Sequence, residues 1–229
     1  MLLLLLAVAT AGVLAVRAGT LEVPRQWNPW TPPDPAQPPG TLVRFQLMQL
    51  ADDHPACMAW LEKAGVRATP VPDRATGAGC GLEGAVRLSG APLARHGAVT
   101  ASCPMAAAWT LYERWVLDPA AREHLGAPVA SVQHFGTYAS RNVRRTAGQS
   151  GARSQHATAN ALDLAGVTLA DGRRLSVKRD WQGEGPEARF WRAAAEGACR
   201  LFNVTLTPDY NALHADHLHL DMGPWRACR

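Results

Sequence analysis

Histidine and aspartate residues recur near the C-terminus at the spacing of a β-strand. Side chains of a strand alternate between its two faces, so His217, His219 and Asp221 are predicted to share one face. The leucines and the methionine that follow them in turn share the other face. Imidazoles and a carboxylate on one face are costly to bury unless they bind something. Because His214 and Asp216 directly precede this strand, the pattern indicates a metal-binding or catalytic surface.

A second group of the same residue types lies earlier in the chain. His156 is predicted on a turn and Asp163 in the strand that follows, and the small residues between them allow a close backbone path. Two ligands from this segment and one histidine from the last strand would give a three-ligand site. A catalytic zinc ion with three protein ligands keeps a fourth position for water and lowers the pKa of that water to ~7. The sequence therefore predicts one zinc ion per chain and hydrolysis at neutral pH.

At these two clusters the sequence resembles the superfamily of zinc peptidases that groups lysostaphin-type enzymes, D-Ala-D-Ala carboxypeptidases and hedgehog domains. The pattern is Ser154-x-His156-x6-Asp163 followed by His217-x-His219. When His214 is included, the pattern His214-x2-His217-x-His219 is similar in spacing to that of the penicillin-insensitive murein endopeptidases. More closely, residues from roughly 50 to 229 resemble the bacterial extensin-like C-terminal domain family. The matching segments are His134 to Tyr138, Arg141-Asn142, Ser154 to Asp163, Tyr210 to His217 and Trp225-Arg226-x-Cys228.

The resemblance implies a ligand set for the zinc ion, which is His156, Asp163 and His219. It places Asp216 where the carboxypeptidases have a glutamate that acts as general base. His217 is expected to stabilise the oxyanion or to orient the water, and His214 to assist. A general base contributes typically 10²- to 10⁴-fold in rate, so the loss of this group should be severe.

The same resemblance implies a substrate-binding group beside the metal. Arg141 is placed like the arginine that holds a substrate carboxylate, and a guanidinium suits a carboxylate physically. We predict that Tyr138 and Ser154 also contact the substrate. Two positions depart from the family patterns. Ala159 stands where the superfamily usually has glycine, and Ser140 stands where many extensin-like proteins have a cysteine, which would leave one partner thiol free.

The N-terminal segment predicts export. Met1 to Val16 is almost wholly apolar and Arg17 ends the run, which is shorter than the ~20 residues of a usual spanning helix. Residues 1–18 are therefore predicted to be either a signal peptide or a retained anchor, and in the second case residues 1–16 would hold the chain at the inner membrane. The chain is expected in the periplasm or the cell envelope. The five dispersed cysteines then indicate disulfides, with one thiol unpaired and the pairing left open.

The remaining chain is predicted to be one domain of the α+β class. Residues 19–41 are rich in proline and tryptophan and indicate a linker that either wraps the domain or spaces it from a membrane. Residues 42–229 form the domain, in which helices predominate first and antiparallel strands later. The resemblance implies a small antiparallel sheet that carries the zinc site, with helices packed on it, as in the hedgehog and D-Ala-D-Ala peptidase fold.

Single elements follow from start and stop signals. Helices are predicted from Asp53 to Gly65, from Ser102 through Trp115, and from Pro186 to about Leu201. Another short helix is predicted to start at Asp118-Pro119. Strands are predicted over 66–71, 84–88, 129–135, 161–169, 174–177, 203–206 and 217–222. Asp171-Gly172 indicates a hairpin turn between two of these strands. A loop is predicted from Gly136 to Ser150.

The charge pattern narrows the choice of partners. The net charge is +4 and no run of lysine and arginine resembles a nucleic-acid-binding arm, so no nucleic-acid partner is predicted.

The predicted function is an exported zinc metallopeptidase of the D,D-carboxypeptidase or endopeptidase type. Its metal-activated water would attack a peptide bond in peptidoglycan stem peptides. One alternative is a non-catalytic metal-containing module that binds the cell envelope, and another is a membrane-tethered structural protein without metal.

Overall fold

The computed structural model describes residues 1–90, 98–145 and 148–229. Its helices are α1 (Leu2–Arg17), α2 (Val43–Met48), α3 (His54–Lys63), α4 (Cys103–Tyr112), α5 (Asp118–Leu125), α6 (Val177–Asp180) and α7 (Pro186–Leu201). Its strands are β1 (Arg67–Pro70), β2 (Arg74–Gly77), β3 (Cys80–Leu82), β4 (Ala85–Ser89), β5 (Val99–Ser102), β6 (Val129–His134), β7 (Asn142–Arg145), β8 (Gly148–Arg153), β9 (Ala161–Leu169), β10 (Arg174–Ser176), β11 (Val204–Leu206), β12 (Leu218–Asp221) and β13 (Ala227–Cys228). The predicted α+β class is confirmed.

Strand β9 is the centre of a six-stranded sheet. It pairs antiparallel with β6, β10 and β12, and β12 pairs antiparallel with β11. The short strand β13 joins β11 in parallel. A second antiparallel sheet consists of β1, β4 and β5, while β2 pairs with β3 and β7 pairs with β8. The pairing of β9 with β12 brings the two histidine- and aspartate-containing segments of the sequence side by side.

The core lies on the apolar side of this sheet. All ten residues of α4 are buried, and its Trp109 and Tyr112 rings pack together, with Tyr112 also contacting Phe202. Leu218 and Leu220 of β12 are fully buried in the same core. Each fully buried leucine contributes about 1.5–3 kcal/mol, which fixes which face of β12 points inward. The alternate side chains of β12 therefore face away from the core.

The proline-rich segment before the domain packs on the helices. Trp60 of α3 donates its indole N–H to the Pro33 carbonyl at 2.6 Å, and Arg114 donates to the Pro35 carbonyl at 2.9 Å. Gln46 of α2 reaches back to the Arg25 carbonyl at 2.7 Å. These contacts are those of a segment that wraps the domain, which was one of the two predicted arrangements.

Helix α1 stands apart from these contacts. None of its sixteen residues is buried. Within the described residues, no helix combines the length and the hydropathy needed to cross a membrane.

Two disulfides join distant elements. Cys57 of α3 pairs with Cys103 of α4, and Cys199 of α7 pairs with Cys228 of β13. Cys80 is buried and free. The prediction of disulfides with one unpaired thiol is therefore confirmed.

Removing the second disulfide is expected to lower the free energy of unfolding. Its cysteines are separated by 29 positions, and closing a loop of that length contributes about 3–4 kcal/mol in the chain-entropy model. The Cys199→Ser/Cys228→Ser variant should therefore unfold at a lower urea concentration under non-reducing conditions. The Cys80→Ala variant is the control and should change the midpoint far less. Coincident unfolding curves for the wild type and the double variant would contradict this expectation.

The predicted helix at Asp118-Pro119 is confirmed as α5, which follows α4 without a break through a π-helical turn, Glu113–Leu117. The Pro119 ring would clash with the carbonyl four residues earlier in a regular helix, and the wider turn relieves that clash. One sequence prediction is wrong: the predicted loop from Gly136 to Ser150 contains β7 and the start of β8.

Candidate metal centre

A short 3-10 turn, Gln155–Thr158, positions His156. The Ser154 hydroxyl caps this turn by accepting a hydrogen bond from the His156 N–H at 3.3 Å. Asn160 closes it from the other side, since its side chain donates to Gln155 at 2.9 Å and accepts from Ser102 at 2.6 Å. His156 is thereby held in one place and is only 3% exposed.

Ala159 ends the turn in the left-handed region, with φ of 54°. It is the one non-glycine residue with positive φ among the described residues. Glycine adopts this conformation without steric cost, whereas an alanine does so less readily. The alanine keeps the turn tight and leads directly into β9.

The register of the sheet brings the other two candidate ligands together. His219 of β12 is the direct cross-strand partner of Asp163 of β9. Both point to the face opposite the leucine-lined core, as the alternation of the sequence predicted. His219 Nδ1 lies 2.9 Å from Asp163 Oδ1.

The three candidate ligands converge on one point. His156 Nε2 lies 3.1 Å from Asp163 Oδ1 and 3.3 Å from His219 Nδ1. Donors bound at ~2.0–2.1 Å in a tetrahedron are separated by about 3.3 Å, so these spacings are close to those of a zinc site. Two nitrogens and one carboxylate oxygen are also a donor set that zinc accepts. His156, Asp163 and His219 could therefore hold one metal ion.

The outward nitrogens of both histidines are also engaged. His156 Nδ1 lies 3.2 Å from the Thr137 carbonyl, and His219 Nε2 lies 3.0 Å from Asp221 Oδ2. Both partners are acceptors, so each outward nitrogen carries the proton and a neutral ring turns a lone pair toward the other ligands. Asp221 is itself fixed, because its second oxygen accepts from the Gly223 N–H at 2.8 Å. Lone pairs facing one another are the arrangement that a cation stabilises.

When no metal is bound, a proton on His219 can partly replace the stabilising cation. Burial alone would lower the pKa of His219, but hydrogen bonds to Asp163 and Asp221 outweigh it and raise the pKa to about 9. Burial would likewise raise the pKa of Asp163, whereas hydrogen bonds from His156 and His219 hold that pKa well below its usual range. The metal-free site is therefore an imidazolium between two carboxylates.

The metal-free chain is expected to lose stability as the solution becomes alkaline. The folded pKa of His219, about 9, lies above the unfolded value of 6.5. Its stabilisation is fully present below about pH 6.5 and is lost as the pH rises through about 9. Urea unfolding of chelator-treated chain at several pH values measures this, and the His219→Gln variant should give a flatter profile. Parallel profiles for the two proteins would contradict it.

The remaining histidines of the cluster lie beside the ligands. His217 Nδ1 lies 2.9 Å from Asp216 Oδ1, and His217 Nε2 lies 3.5 Å from Asp163 Oδ1. The Asp216 carboxylate thus engages Nδ1 and leaves Nε2 directed toward the metal centre. The Asp216 side chain itself is 44% exposed.

His214 is fixed by a residue to which the sequence analysis gave no role. Asn211 Oδ1 accepts from the Leu213 N–H at 3.0 Å and lies 2.8 Å from His214 Nδ1. His214 Nε2 is therefore unprotonated in the neutral ring. Burial, followed by repulsion from His219 and His217, lowers the pKa of His214 to about 4.

A cleft of about 880 Å³ opens above these residues. The predicted substrate-binding residues Arg141, Tyr138 and Ser154 all line it. The Ser154 hydroxyl is used as a cap, and the Tyr138 hydroxyl bonds to Thr76 of β2. All nine predicted site residues are therefore gathered around one cleft.

Several contributors were missed by sequence reasoning. Phe135 packs edge-on against His217 with ring centroids 5.6 Å apart, and Tyr210 contacts His214 at 5.5 Å. Trp225 lines the cleft with 80% of its surface exposed. The Thr137 carbonyl carries no side-chain signal. The Asn211-x-x-His214 spacing in a turn-forming segment was the one signal that could have shown the role of Asn211.

Comparison with known proteins gives a family for the chain. The family model described as Extensin-like protein C-terminus matches residues 55–229, which include the whole of this metal centre. No curated protein and no solved structure matches the chain significantly.

Proposed function

Because the chain belongs to the extensin-like protein C-terminus family, we propose from its metal centre that it is an exported zinc-dependent peptidase acting on peptidoglycan stem peptides. The observation that carries the proposal is the convergence of His156 Nε2, His219 Nδ1 and Asp163 Oδ1 within 3.3 Å. The similarity of the His214, His217 and His219 spacing to that of murein endopeptidases supports the choice of substrate. The proposal places the chain in the lysostaphin and D-Ala-D-Ala carboxypeptidase superfamily.

His156, Asp163 and His219 would hold the zinc ion. When bound at a site with three protein ligands, zinc makes water a nucleophile near neutral pH by lowering its pKa to about 7. The Thr137 carbonyl and the Asp221 carboxylate orient the two imidazoles. Loss of such a hydrogen-bond partner typically lowers metal affinity or activity by about 10- to 100-fold.

His217 is the side chain best placed to accept a proton in this reaction. Its Nδ1 is engaged by Asp216, so its Nε2 carries a lone pair beside the ligand Asp163. We infer that Asp216 has a positioning role through His217, in place of the general-base role that the resemblance implied. His214, held neutral by burial, would accept a hydrogen bond from the substrate or from water.

Arg141 would bind a substrate carboxylate. It lines the cleft, and its charge interacts with Asp163 and with His214. A guanidinium in this position would fix the end of a peptide beside the metal centre.

The second candidate function is a non-catalytic envelope-binding module. His217 Nε2 lies 3.5 Å from Asp163 Oδ1, close enough for a small rotation to close the fourth position of a metal ion. A closed site would have no place for water and would serve structure or recognition. The two functions therefore differ in the fourth ligand.

Export is part of the same proposal. Disulfides persist in oxidising compartments, and this chain forms two of them. The apolar helix α1 would act as a signal peptide or as an inner-membrane anchor, which places the domain in the periplasm or the cell envelope.

The direct test uses the full-length chain, loaded with zinc and incubated with purified sacculi. Release of peptides with new amino groups, abolished by a chelator and restored by zinc, would support the peptidase. The His124→Gln variant, changed on α5 outside the cleft, is the control and should keep the activity. Zinc binding without any product from intact or cross-linked sacculi would exclude the peptidase and favour the binding module.

A further inference from the structure

Three arginines line one wall of the cleft: Arg141, Arg144 and Arg153. We call them the arginine wall. Among the described residues, no ion pair joins any of them to a carboxylate. Burial lowers the pKa of Arg141, the Asp163 charge raises it, and the charge of the nearby Arg144 lowers it. Like charges gathered in a cleft create a positive potential that attracts an anion.

Arg153 is held in place within this wall. Its Nη1 donates to the Asn142 side chain at 2.8 Å across the β7–β8 pair. Its aliphatic part packs on Gly79, where a Cβ atom would lie 3.1 Å from Arg153 Cγ. Gly79 also has φ of +65°, so glycine suits this position for two reasons. An arginine that is already ordered loses less entropy when it binds an anion.

Other lining residues of the cleft are apolar. Tyr210, Leu213 and Trp225 line it and expose much of their apolar surface. The segment that carries Trp225 is anchored by the Cys199–Cys228 disulfide three residues later. The cleft therefore presents both cations and exposed apolar side chains.

We propose that the arginine wall binds acidic side groups, so that the preferred substrate is a peptide with at least two carboxylates. Arg141 takes one carboxylate beside the metal centre, while Arg144 and Arg153 take another farther along the chain. The proposal rests on the proposed peptidase function for the reaction itself. A peptide fits better than a phosphate polymer, because the net charge is only +4 and the sequence has no run of three or more basic residues.

The test compares two peptides of equal length that differ in one group. The first carries two carboxylates, and in the second one side-chain carboxylate is replaced by a carboxamide. Binding is measured by calorimetry with the full-length zinc-loaded chain, the Arg144→Gln/Arg153→Gln variant, and the Arg87→Gln/Arg200→Gln variant. The last is the matched control, since it removes the same charge from exposed positions on β4 and α7.

The wild type and the control should prefer the diacid by roughly tenfold, as expected for two solvent-screened ion pairs. The Arg144→Gln/Arg153→Gln variant should bind both peptides equally, and added salt should reduce the wild-type preference. A preference that survives in this variant, or is absent from the wild type, would overturn the proposal. Displacement of the diacid by polyphosphate at lower concentration would overturn it in favour of a phosphate polymer.

Product release in the same samples separates the two proposals. Charge-dependent binding without cleavage would contradict the peptidase and leave the arginine wall as a site for acidic peptides. Cleavage without charge dependence would contradict only the inference about acidic groups.

Discussion

Replacing His156 by alanine is expected to abolish both tight zinc binding and peptide release. The change removes one of three candidate ligands, and the ligand removed is held in place and only 3% exposed. Zinc sites with four ligands gain roughly 10–16 kcal/mol in total, so one ligand corresponds to at least about a hundredfold in affinity. The measurement is a zinc titration of the chelator-treated full-length chain, followed by the sacculus assay.

Two further variants make this expectation specific. Asp163→Asn keeps the shape of the side chain and should also weaken binding, so a loss in both variants cannot come from a cavity alone. His124→Gln should bind zinc like the wild type. Retention of wild-type zinc affinity in a folded His156→Ala chain would contradict the ligand assignment.

The second large effect is expected at His217. The His217→Gln variant should retain zinc, because His217 is not among the three converging ligands, but kcat should fall by roughly 10²- to 10⁴-fold. Asp216→Asn should cause a smaller loss of about 10- to 100-fold, because Asp216 acts by orienting His217. The two variants should also differ in the pH dependence of kcat, measured with a soluble stem-peptide substrate.

The relative size of the two effects decides between two assignments of the base. If Asp216 were the base itself, Asp216→Asn would be the more damaging change and His217→Gln the milder one. A loss of zinc in His217→Gln would instead indicate a closed metal site and favour the envelope-binding module.

Much of the metal centre could be predicted from the sequence because strand geometry constrains it. The alternation of His217, His219 and Asp221 with leucines determined which side chains leave the core, and β12 has this arrangement. The turn at His156 was indicated by the small residues around Ala159. The pairing of His219 with Asp163 could not be predicted from either segment alone, because register depends on the whole sheet.

The parts that sequence reasoning missed depend on contacts between distant segments. The resemblance implied a base role for Asp216, but its contact with the imidazole of the next residue could not be predicted. The β7–β8 pair interrupts a predicted loop, because its polar sequence lacks the apolar alternation of a half-buried strand. The arginine wall depends on the approach of Gly79 to Arg153, which joins two hairpins that are far apart in sequence.

The central claim is that His156, Asp163 and His219 hold one zinc ion with an open position. X-ray absorption at the zinc edge of the full-length chain tests it most directly, combined with metal analysis. We expect one zinc per chain, nitrogen and oxygen ligands at about 2.0–2.1 Å, and the scattering of two imidazoles. A chain that binds no zinc, or a zinc ion surrounded by three or four imidazoles, would contradict it.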